Sequence, residues 1–227
     1  MIDATHRSEA RHVAIISDGS RRWARSRELS VRDGHAAAAA TVTARALDAV
    51  EMGIEELTVY AFSTENWARS PTEIEALVEV IAAQLAADTE TLHAHGVRIR
   101  WLGTQEGVPD VLVRQLRSSE TTTEGNRRMT LFIAFNYGGR AEILNAAIRF
   151  EGTTEEEFRR CLHLPEMHDP ELVIRTGREQ RLSNYLLWQA AYSELVFRQE
   201  LWPDFTREAF MHALDEYTDR QRRFGGR

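Results

Sequence analysis

The chain has 227 residues, of which 43% are hydrophobic and 28% are charged. This length and composition predict one globular domain over residues 1–227 and disfavour a disordered chain, a collagen-like repeat and a disulfide-rich scaffold. Residues 1–10 are expected to be flexible. With 28 basic and 35 acidic residues the formal net charge is −7, which argues against a protein that coats nucleic acid through bulk positive charge. We therefore expect no nucleic-acid partner.

The sequence contains no lysine, so all 28 Lys and Arg positions are arginines. The absence of lysine excludes Schiff-base chemistry and any phosphate loop that depends on a lysine. Arginine binds phosphate oxygens in pairs and keeps its charge, so the composition is still compatible with a phosphate-binding site built from arginines.

Redox and targeting signals favour a cytoplasmic protein. Cys161 is the single cysteine, so no disulfide forms within the chain, and no Cys and His residues have zinc-finger spacing. The start of the chain lacks the apolar core of a signal peptide, and no apolar run approaches the roughly 20 residues that span a bilayer. We expect a cytoplasmic location and no membrane-spanning segment.

Short apolar runs alternate with amphipathic segments along the chain. Runs rich in β-branched and aromatic residues predict buried strands at 12–17, 56–62, 97–103, 129–135 and 171–175. Helices are predicted at 35–52, 71–95, 108–121, 139–150, 183–191 and 206–222. This alternation indicates an α/β fold with a mostly parallel sheet, in which ligands bind beyond the carboxyl ends of the strands.

The segment after the first predicted strand has the residue types of a phosphate and metal site. It reads Asp18-Gly19-Ser20-Arg21-Arg22-Trp23. A glycine turn lets the backbone approach an anion, arginines bind the anion, and a carboxylate can hold Mg²⁺ against the same phosphate. The alternative is that Asp18 caps a helix and the arginines face solvent.

Polar residues also follow the second predicted strand, where Ser63, Glu65, Asn66 and Arg69 lie among aromatic residues. A loop that caps a helix is the alternative for this segment. After the fourth strand, the glycines and arginine of 136–140 suit any strand-to-helix turn and are weak as a signal.

The segment after the last predicted strand is the richest in arginine. Arg175, Arg178 and Arg181 fall within seven residues and are followed by Ser183. Such a density of bidentate donors suits a diphosphate. Further on, Glu194 lies among apolar residues, where a carboxylate is either paired with an arginine for structural reasons or a metal ligand.

The order and spacing of these motifs resemble the cis-prenyltransferase family, the undecaprenyl diphosphate synthase type of isoprenoid enzyme. The resemblance covers nearly the whole chain, from HVAIISDGSRRWA through LTVYAFSTENWAR and LVIRTGREQRLSN to LWPDF and RRFGG. It implies a homodimer whose subunits each have a six-stranded, mostly parallel sheet flanked by helices, with a hydrophobic prenyl tunnel. It also implies prenyl diphosphate substrates, Mg²⁺ as cofactor and, only if the product is long, peripheral contact with a membrane.

The resemblance also implies roles for individual residues. Asp18, Ser20 and Asn66 would be catalytic, and Asp18 and Glu194 would be metal ligands. The substrate-binding residues would be Gly19, Arg21, Arg22, Trp23, His35, Ser63, Glu65, Arg69, Arg175, Arg178, Arg181 and Ser183. The tail at 223–226 would cross from the partner subunit towards the site of the second diphosphate.

The helix at 71–95 offers Leu77, Val78, Ile81, Ala82, Ala83 and Leu85 as lining of the tunnel. The alternative is that these residues pack in the core.

Two residues depart from the family pattern. Ser20 stands where the family motif reads Asp-Gly-Asn, and Arg178 stands where it reads Arg-Thr-Gly-Gly-Glu. Because both departures face the same substrate, two reactions stay open: condensation of an allylic diphosphate with isopentenyl diphosphate, and head-to-middle coupling of two allylic diphosphates such as dimethylallyl and geranyl diphosphate. A shortened segment at 150–169 and the altered loops favour a short product, whereas Ala61 and the alanines of the helix at 71–95 are small and would permit a long tunnel. A non-catalytic partner subunit is disfavoured because Asp18 and Arg175 are retained.

Overall fold

A six-stranded sheet forms the centre of the structure, a computed structural model that describes residues 8–220. The strands are β1 (His12–Ile16), β2 (Glu56–Ser63), β3 (Val97–Leu102), β4 (Met129–Tyr137), β5 (Leu172–Arg175) and β6 (Glu194–Phe197). They lie in the order β3-β4-β2-β1-β5-β6, and every neighbouring pair is parallel. The predicted α/β class with a six-stranded parallel sheet is confirmed.

Helices cover the sheet and cross between its strands. They are α1 (Ser20–Arg25), α2 (Val31–Glu51), α3 (Pro71–Ala94), α4 (Asp110–Thr123), α5 (Gly139–Arg149), α6 (Glu155–Arg159) and α7 (Arg207–Thr218). The start of α3 shows how the sequence sets a boundary. Pro71 occupies the first helical position, where its missing N–H costs nothing, and the Ser70 hydroxyl accepts a hydrogen bond from the Glu73 N–H.

The central strands are buried on both faces, as the apolar runs predict. All five residues of β1 are buried. Val13 and Ile15 belong to the core beneath α2, α3 and α4, whereas Ala14 and Ile16 belong to a second core on the opposite face. Because side chains alternate along a strand, a strand between two cores has no polar face.

The strand order creates a crevice at one place. The chain runs outward from β1 to β2 on one side, and it later returns to place β5 on the other side of β1. The order of the strands therefore reverses between β1 and β5, and the loops after these two strands leave the sheet in opposite directions. Parallel α/β sheets bind ligands in the crevice between two such loops. The segments after Ile16 and Arg175 therefore flank the crevice.

The structure corrects one predicted element and adds one that the residues did not indicate. The helix predicted at 183–191 is absent, because Ser183, Asn184 and Leu186 have φ angles of 50°, 64° and 43°, in the left-handed region that an α-helix cannot contain. The strand β6 was not predicted from its residues; only the family resemblance implied a sixth strand. Of the residues expected to be flexible, Ala10 is buried and the Ser8 N–H donates to the Met52 carbonyl.

Residues 1–7 and 221–227 lie outside the described residues, and so does the tail at 223–226 that was predicted to cross between subunits. Within residues 8–220, no helix has both the length and the apolar character to cross a membrane.

Candidate active site

A cavity of about 870 Å³ opens at the carboxyl edge of the sheet and extends between the sheet and the helices α2 and α3. Its mouth is polar and is lined by residues 17–22, His35 and Arg69. Its deeper wall is mostly apolar and includes Ala38, Ala39, Val42, Ala61, Leu77, Ile81, Leu85, Leu131 and Ile133. The cavity thus has the shape and chemistry of a site for an amphiphilic ligand with an anionic head.

Half of the predicted lining of α3 faces this cavity. Leu77, Ile81 and Leu85 line it, at helical spacing of four residues. Val78 instead packs into the core and Ala83 is exposed, while Ala82 packs against the core from the helix. The difference follows from helix geometry, because only one stripe of a helix faces a given neighbour.

Asp18 lies at the mouth, between two arginines. Its Oδ1 accepts a hydrogen bond of 3.0 Å from the Arg22 Nη2, and its Oδ2 accepts one of 2.9 Å from the Arg175 Nη2. Arg175 is buried and ends β5, while Arg22 is half exposed on α1. The structure therefore joins the first and last arginine-rich motifs on one carboxylate, and Asp18 does not act as a helix cap.

Two glycines allow these loops to meet. Gly19 has a φ of 116°, and a Cβ on it would lie 2.8 Å from the Leu201 side chain. Gly177 has a φ of 82°, and a Cβ on it would lie 2.7 Å from the Arg22 guanidinium. Backbone in this region favours glycine, and a side chain at either position would also displace the groups around Asp18.

Arg175 organises a second group of polar atoms on the side of Asp18 away from α1. Its Nη1 donates 2.6 Å to the Ser183 hydroxyl and also donates to the Arg181 carbonyl. The Arg181 guanidinium itself points to Glu179, at 2.6 Å, and stays exposed. Arg178 is exposed and has a φ of 71°. Of the four predicted residues of this segment, Arg175 and Ser183 are thus joined beside Asp18, whereas the guanidinium groups of Arg178 and Arg181 are exposed.

Glu73 was missed by the sequence analysis, although it gathers three predicted residues. Its Oε1 accepts a hydrogen bond of 3.1 Å from Arg69 and lies 3.7 Å from the Arg21 Nε and 3.6 Å from the His35 Nε2. In sequence it is an ordinary acidic residue in the first turn of a helix. Its proximity to Arg69, four residues earlier, was the one signal available.

His35 is buried at this cluster. Burial lowers the pKa of its imidazole below the usual value, and the nearby Arg69 lowers it further, whereas Glu73 raises it in opposition. A neutral imidazole is therefore favoured near pH 7 while the cavity holds no anion. An anion bound in the mouth would raise the pKa of the His35 imidazole and so offset part of the lowering.

The segment after β2 divides into two parts. Arg69 reaches the cavity mouth, but Ser63, Glu65 and Asn66 are not among the cavity residues. The Ser63 N–H donates 3.0 Å to the Asn66 side chain, which caps the 3₁₀ turn Thr64–Ala68, and Glu65 accepts 2.7 Å from Asn184. The alternative interpretation of this segment, a capping loop, describes Ser63 and Asn66 in the structure, whereas Glu65 contacts the loop after β5.

Ser20 and Trp23 differ in their surroundings. Ser20 begins α1 and lines the cavity mouth, as its predicted role requires. Trp23 is not a cavity residue: its indole N–H donates 2.7 Å to Asp204, and the Arg27 guanidinium lies 4.6 Å above the ring. The structure therefore gives Trp23 a packing role at the rim.

Glu194, which the resemblance makes a metal ligand beside the second diphosphate, lies at the opposite end of its strand from the level of Asp18. Glu194 begins β6 and pairs with Leu172, whereas Asp18 lies two residues beyond Ile16, which pairs with Arg175. The levels of Glu194 and Ile16 differ by three residues of parallel strand, about 10 Å, and Asp18 lies two residues beyond Ile16. Glu194 accepts 2.9 Å from Arg220. The structural alternative, a carboxylate paired with an arginine, describes Glu194 within the chain.

Asp18 remains the carboxylate at the mouth that can hold a cation. Among residues 8–220, no group of three or more His, Cys, Asp or Glu side chains is arranged to hold a metal. Mg²⁺ does not need such a group, since it commonly keeps several waters and is bound by one or two carboxylates together with substrate phosphates. The donor set at the mouth fits that mode.

Comparisons with known proteins agree with this geometry. Residues 16–225 match the prenyltransferase family model described as "Putative undecaprenyl diphosphate synthase". An isoprenyl transferase from Thermotoga maritima is 46% identical, with 95% of this chain and 96% of the relative covered. A trans,polycis-polyprenyl diphosphate synthase, (2Z,6E)-farnesyl diphosphate specific, from Thermobifida fusca is 41% identical, with 95% of this chain and 80% of the relative covered.

A solved structure has the same architecture. The lavandulyl diphosphate synthase of Lavandula x intermedia, in complex with dimethylallyl diphosphate, superposes with a TM-score of 0.92 at 31% identity, covering 96% of this chain and 98% of that chain. The family match over most of the chain and these levels of identity leave one conclusion: the chain belongs to the cis-prenyltransferase family, of the undecaprenyl diphosphate synthase type, and is a prenyltransferase.

Proposed function

We propose that the protein condenses an allylic prenyl diphosphate with isopentenyl diphosphate in a Mg²⁺-dependent reaction. The observation that carries this proposal is the position of Asp18, held between Arg22 and Arg175 where an arginine-lined mouth opens into an apolar cavity. A prenyl diphosphate has a dianionic or trianionic head and an apolar tail. The two halves of such a ligand match the two parts of the cavity.

The allylic diphosphate occupies the mouth with its tail in the cavity. Arg21, Arg22 and Arg69 line the mouth beside the apolar wall, and their guanidinium groups are available to bind phosphate oxygens in pairs. In the free protein Arg22 is bound to Asp18 and Arg69 to Glu73. Binding of the diphosphate exchanges these carboxylate contacts for phosphate contacts.

The second diphosphate binds on the other side of Asp18. Arg175 and Ser183 are already joined there at 2.6 Å, and the exposed guanidinium groups of Arg178 and Arg181 lie in the same loop. Arg175 is buried, so its charge is only weakly screened by solvent. This arrangement holds the double bond of the condensing partner next to the allylic carbon.

Asp18 would hold Mg²⁺ together with diphosphate oxygens, and the ion would supply positive charge to the departing diphosphate. The arginines of the mouth stabilise the same negative charge as the carbon–oxygen bond of the allylic substrate breaks. The double bond of isopentenyl diphosphate then forms the new carbon–carbon bond, and loss of a proton from the adduct leaves a new alkene. The apolar wall excludes water from the allylic cation.

A short product and a homodimer are part of this proposal. The cavity volume of about 870 Å³ lies within the range of about 300–1,000 Å³ typical of pockets for drug-sized molecules, which favours a product of limited length. The exposed side chains of Leu144, Ile148 and Tyr192 give this chain apolar surface that a second subunit would cover.

Head-to-middle coupling of two allylic diphosphates is the second candidate. Ser20 lies in the cavity mouth where the family motif has asparagine, and Arg178 adds a guanidinium to the loop of the second diphosphate. The lavandulyl diphosphate synthase that superposes on this chain is in complex with an allylic diphosphate. Relatives at 41–46% identity are isoprenyl transferases and a polyprenyl synthase, which favours the first candidate.

Product analysis tests both candidates. Purified protein is incubated with Mg²⁺ and dimethylallyl, geranyl or farnesyl diphosphate, each with and without isopentenyl diphosphate, and products are identified by mass spectrometry and NMR. We expect linear products that appear only with isopentenyl diphosphate and disappear with EDTA. A branched product from allylic substrates alone would establish the second candidate, and turnover unchanged by EDTA would contradict the role of Mg²⁺.

A further inference from the structure

The apolar cavity contains one group of polar side chains far from its mouth. Asp88 on α3 and Thr43 on α2 both line the cavity, as does Gln84, one turn before Asp88. The Thr43 hydroxyl donates 2.5 Å and the Gln84 amide donates 2.6 Å to the same oxygen, Asp88 Oδ2. We call these three residues the polar belt. It joins the two helices that wall the cavity.

The polar belt is separated from the reaction site by an apolar stretch. From Glu73 at the mouth to Asp88 the helix advances 15 residues, or about 22 Å at 1.5 Å per residue. The residues of α3 that line this stretch, Leu77 and Ile81, are apolar, and the facing residues of α2 include Ala38 and Ala39. One turn beyond the belt, Leu92 again presents an apolar wall.

A growing prenyl chain meets different surroundings before the belt and at the belt. Between the mouth and the belt, each added five-carbon unit buries apolar surface against apolar walls, which favours entry of the chain into the cavity. At the belt, the chain end would remove water from a carboxylate whose Oδ2 has two donors and whose Oδ1 has no protein donor among residues 8–220. Desolvation of a carboxylate without new partners is costly and offsets the gain from burying the chain.

We propose that the polar belt sets the length of the product: elongation stops when the far end of the prenyl chain reaches Asp88. This inference rests on the proposed condensation, because it concerns the chain that grows in the same cavity. Under this proposal the polarity of the Asp88 side chain limits the length of the product, and not the space that the side chain fills, because the cavity continues past the belt to Leu92. It also agrees with the short product inferred above.

Asp88→Leu separates polarity from bulk, because leucine is larger than aspartate and apolar. We expect the dominant product to lengthen by at least one five-carbon unit. If the belt acts only by filling space, the larger side chain shortens the product or leaves it unchanged, and that result would overturn the proposal. Glu90→Leu is the matched control, since Glu90 is exposed on the same helix. It should leave the product distribution as in the unchanged protein.

Asp88→Asn keeps the shape of the side chain and serves if the leucine variant does not fold, as judged by circular dichroism. Removal of the charge lowers the desolvation cost, so the fraction of products longer than the normal limit should rise several-fold. An unchanged distribution in folded Asp88→Asn, together with misfolded Asp88→Leu, would also contradict the proposal.

A binding series keeps this test independent of the reaction itself. Unreactive linear alkyl diphosphates of increasing length are titrated into the full chain by calorimetry. Affinity should rise with length and then level off, and in Asp88→Leu the plateau should move to longer chains. If the protein makes no linear product but the plateau moves, the proposed condensation fails while the belt stands. If products form normally and the plateau stays in place, the belt fails alone.

Discussion

The two edges of the sheet are built from similar residues and serve different purposes. At the carboxyl edge, Arg22 and Arg175 share Asp18, and three basic side chains surround the single carboxylate of Glu73. Positive charge exceeds negative charge there, beside an open cavity. Such a surplus is stable only in contact with water or an anionic ligand.

At the amino edge the polar groups satisfy one another. Both nitrogens of His12 have partners, the Thr58 hydroxyl at 2.6 Å and the His168 carbonyl at 2.7 Å. The Glu56 carboxylate receives the His168 N–H at 2.9 Å and lies 2.6 Å from the His168 imidazole. Glu194 and Arg220 pair in the same manner at the start of β6. The comparison teaches that unmatched charge, and not the mere presence of charged residues, distinguishes the edge at which the cavity opens.

Asp18→Asn should have the largest effect, because it removes the only carboxylate of residues 8–220 that contacts both arginine motifs. We expect kcat/KM to fall by about a thousandfold with the fold retained. Steady-state kinetics and thermal unfolding of the same sample measure both quantities. Glu79→Gln, an exposed carboxylate on α3 paired with Arg32, is the control. Activity within tenfold of normal would remove Asp18 from the reaction.

His12 tests the amino edge through stability. Burial lowers the pKa of His12 to about 4, whereas an unfolded histidine titrates near 6.5. The unfolded state therefore binds a proton first as the pH falls, and the free energy of unfolding should decrease by about 3 kcal/mol between pH 7 and pH 4 through this residue. Chemical denaturation across this range measures the slope.

Comparison with His12→Gln isolates that contribution from the other titrating groups. The variant should lose stability at neutral pH but show a flatter pH dependence between pH 6.5 and pH 4. His212→Gln, exposed on α7, should keep the full slope. Equal slopes in the unchanged protein and His12→Gln would mean that His12 does not titrate as burial requires.

Arg175→Lys should lower kcat/KM by about a hundredfold. Lysine keeps the charge but has no planar fork, so it cannot contact Asp18, Ser183 and the Arg181 carbonyl together. The rise in KM should be larger for isopentenyl diphosphate than for the allylic substrate. Arg100→Lys, whose guanidinium pairs with carboxylates away from the cavity, should change neither constant. A rise in KM confined to the allylic substrate would reverse the assignment of the two diphosphate positions.

Glu73→Gln should have the smallest effect, a rise of about tenfold in KM for the allylic diphosphate, because Glu73 positions Arg69 and His35 without contacting the reacting atoms. The pKa of His35 should fall further, since Glu73 is the group that raises it. NMR titration of the imidazole follows that shift. A His35 pKa that rises or stays constant would show that the two side chains are not coupled.

Much of the fold could be predicted because it depends on local patterns. The apolar runs predicted five strands within two residues of their observed ends, and Pro71 marked the start of α3. The two failures have different causes. The segment 183–191 has helical composition, but contacts made by Asn184 with Glu65 and Gly139 hold its backbone in left-handed conformations. The four residues of β6 are too few for periodicity to identify.

The site was predictable in its residue types and less so in its arrangement. Asp18, Arg22 and Arg175 were predicted from glycine turns and arginine density, and the structure brings them together. Glu194 and Trp23 were also assigned to the site, and in the structure their side chains pair with Arg220 and Asp204. Those partners lie 26 and 181 residues away in the chain, beyond the reach of any local pattern.

By itself the sequence determined the parallel α/β architecture, the absence of lysine chemistry and the positions of the arginine-rich loops, because strand burial, turn geometry and side-chain charge are properties of short segments. Only the tertiary structure decided which carboxylates the arginines contact. The reversal of strand order beside β1 places Asp18 with Arg175, the packing of α3 places Glu73 with His35, and the approach of α2 to α3 places Asp88 in the cavity wall. Each of these contacts joins segments far apart in sequence, and its geometry follows from how the layers pack.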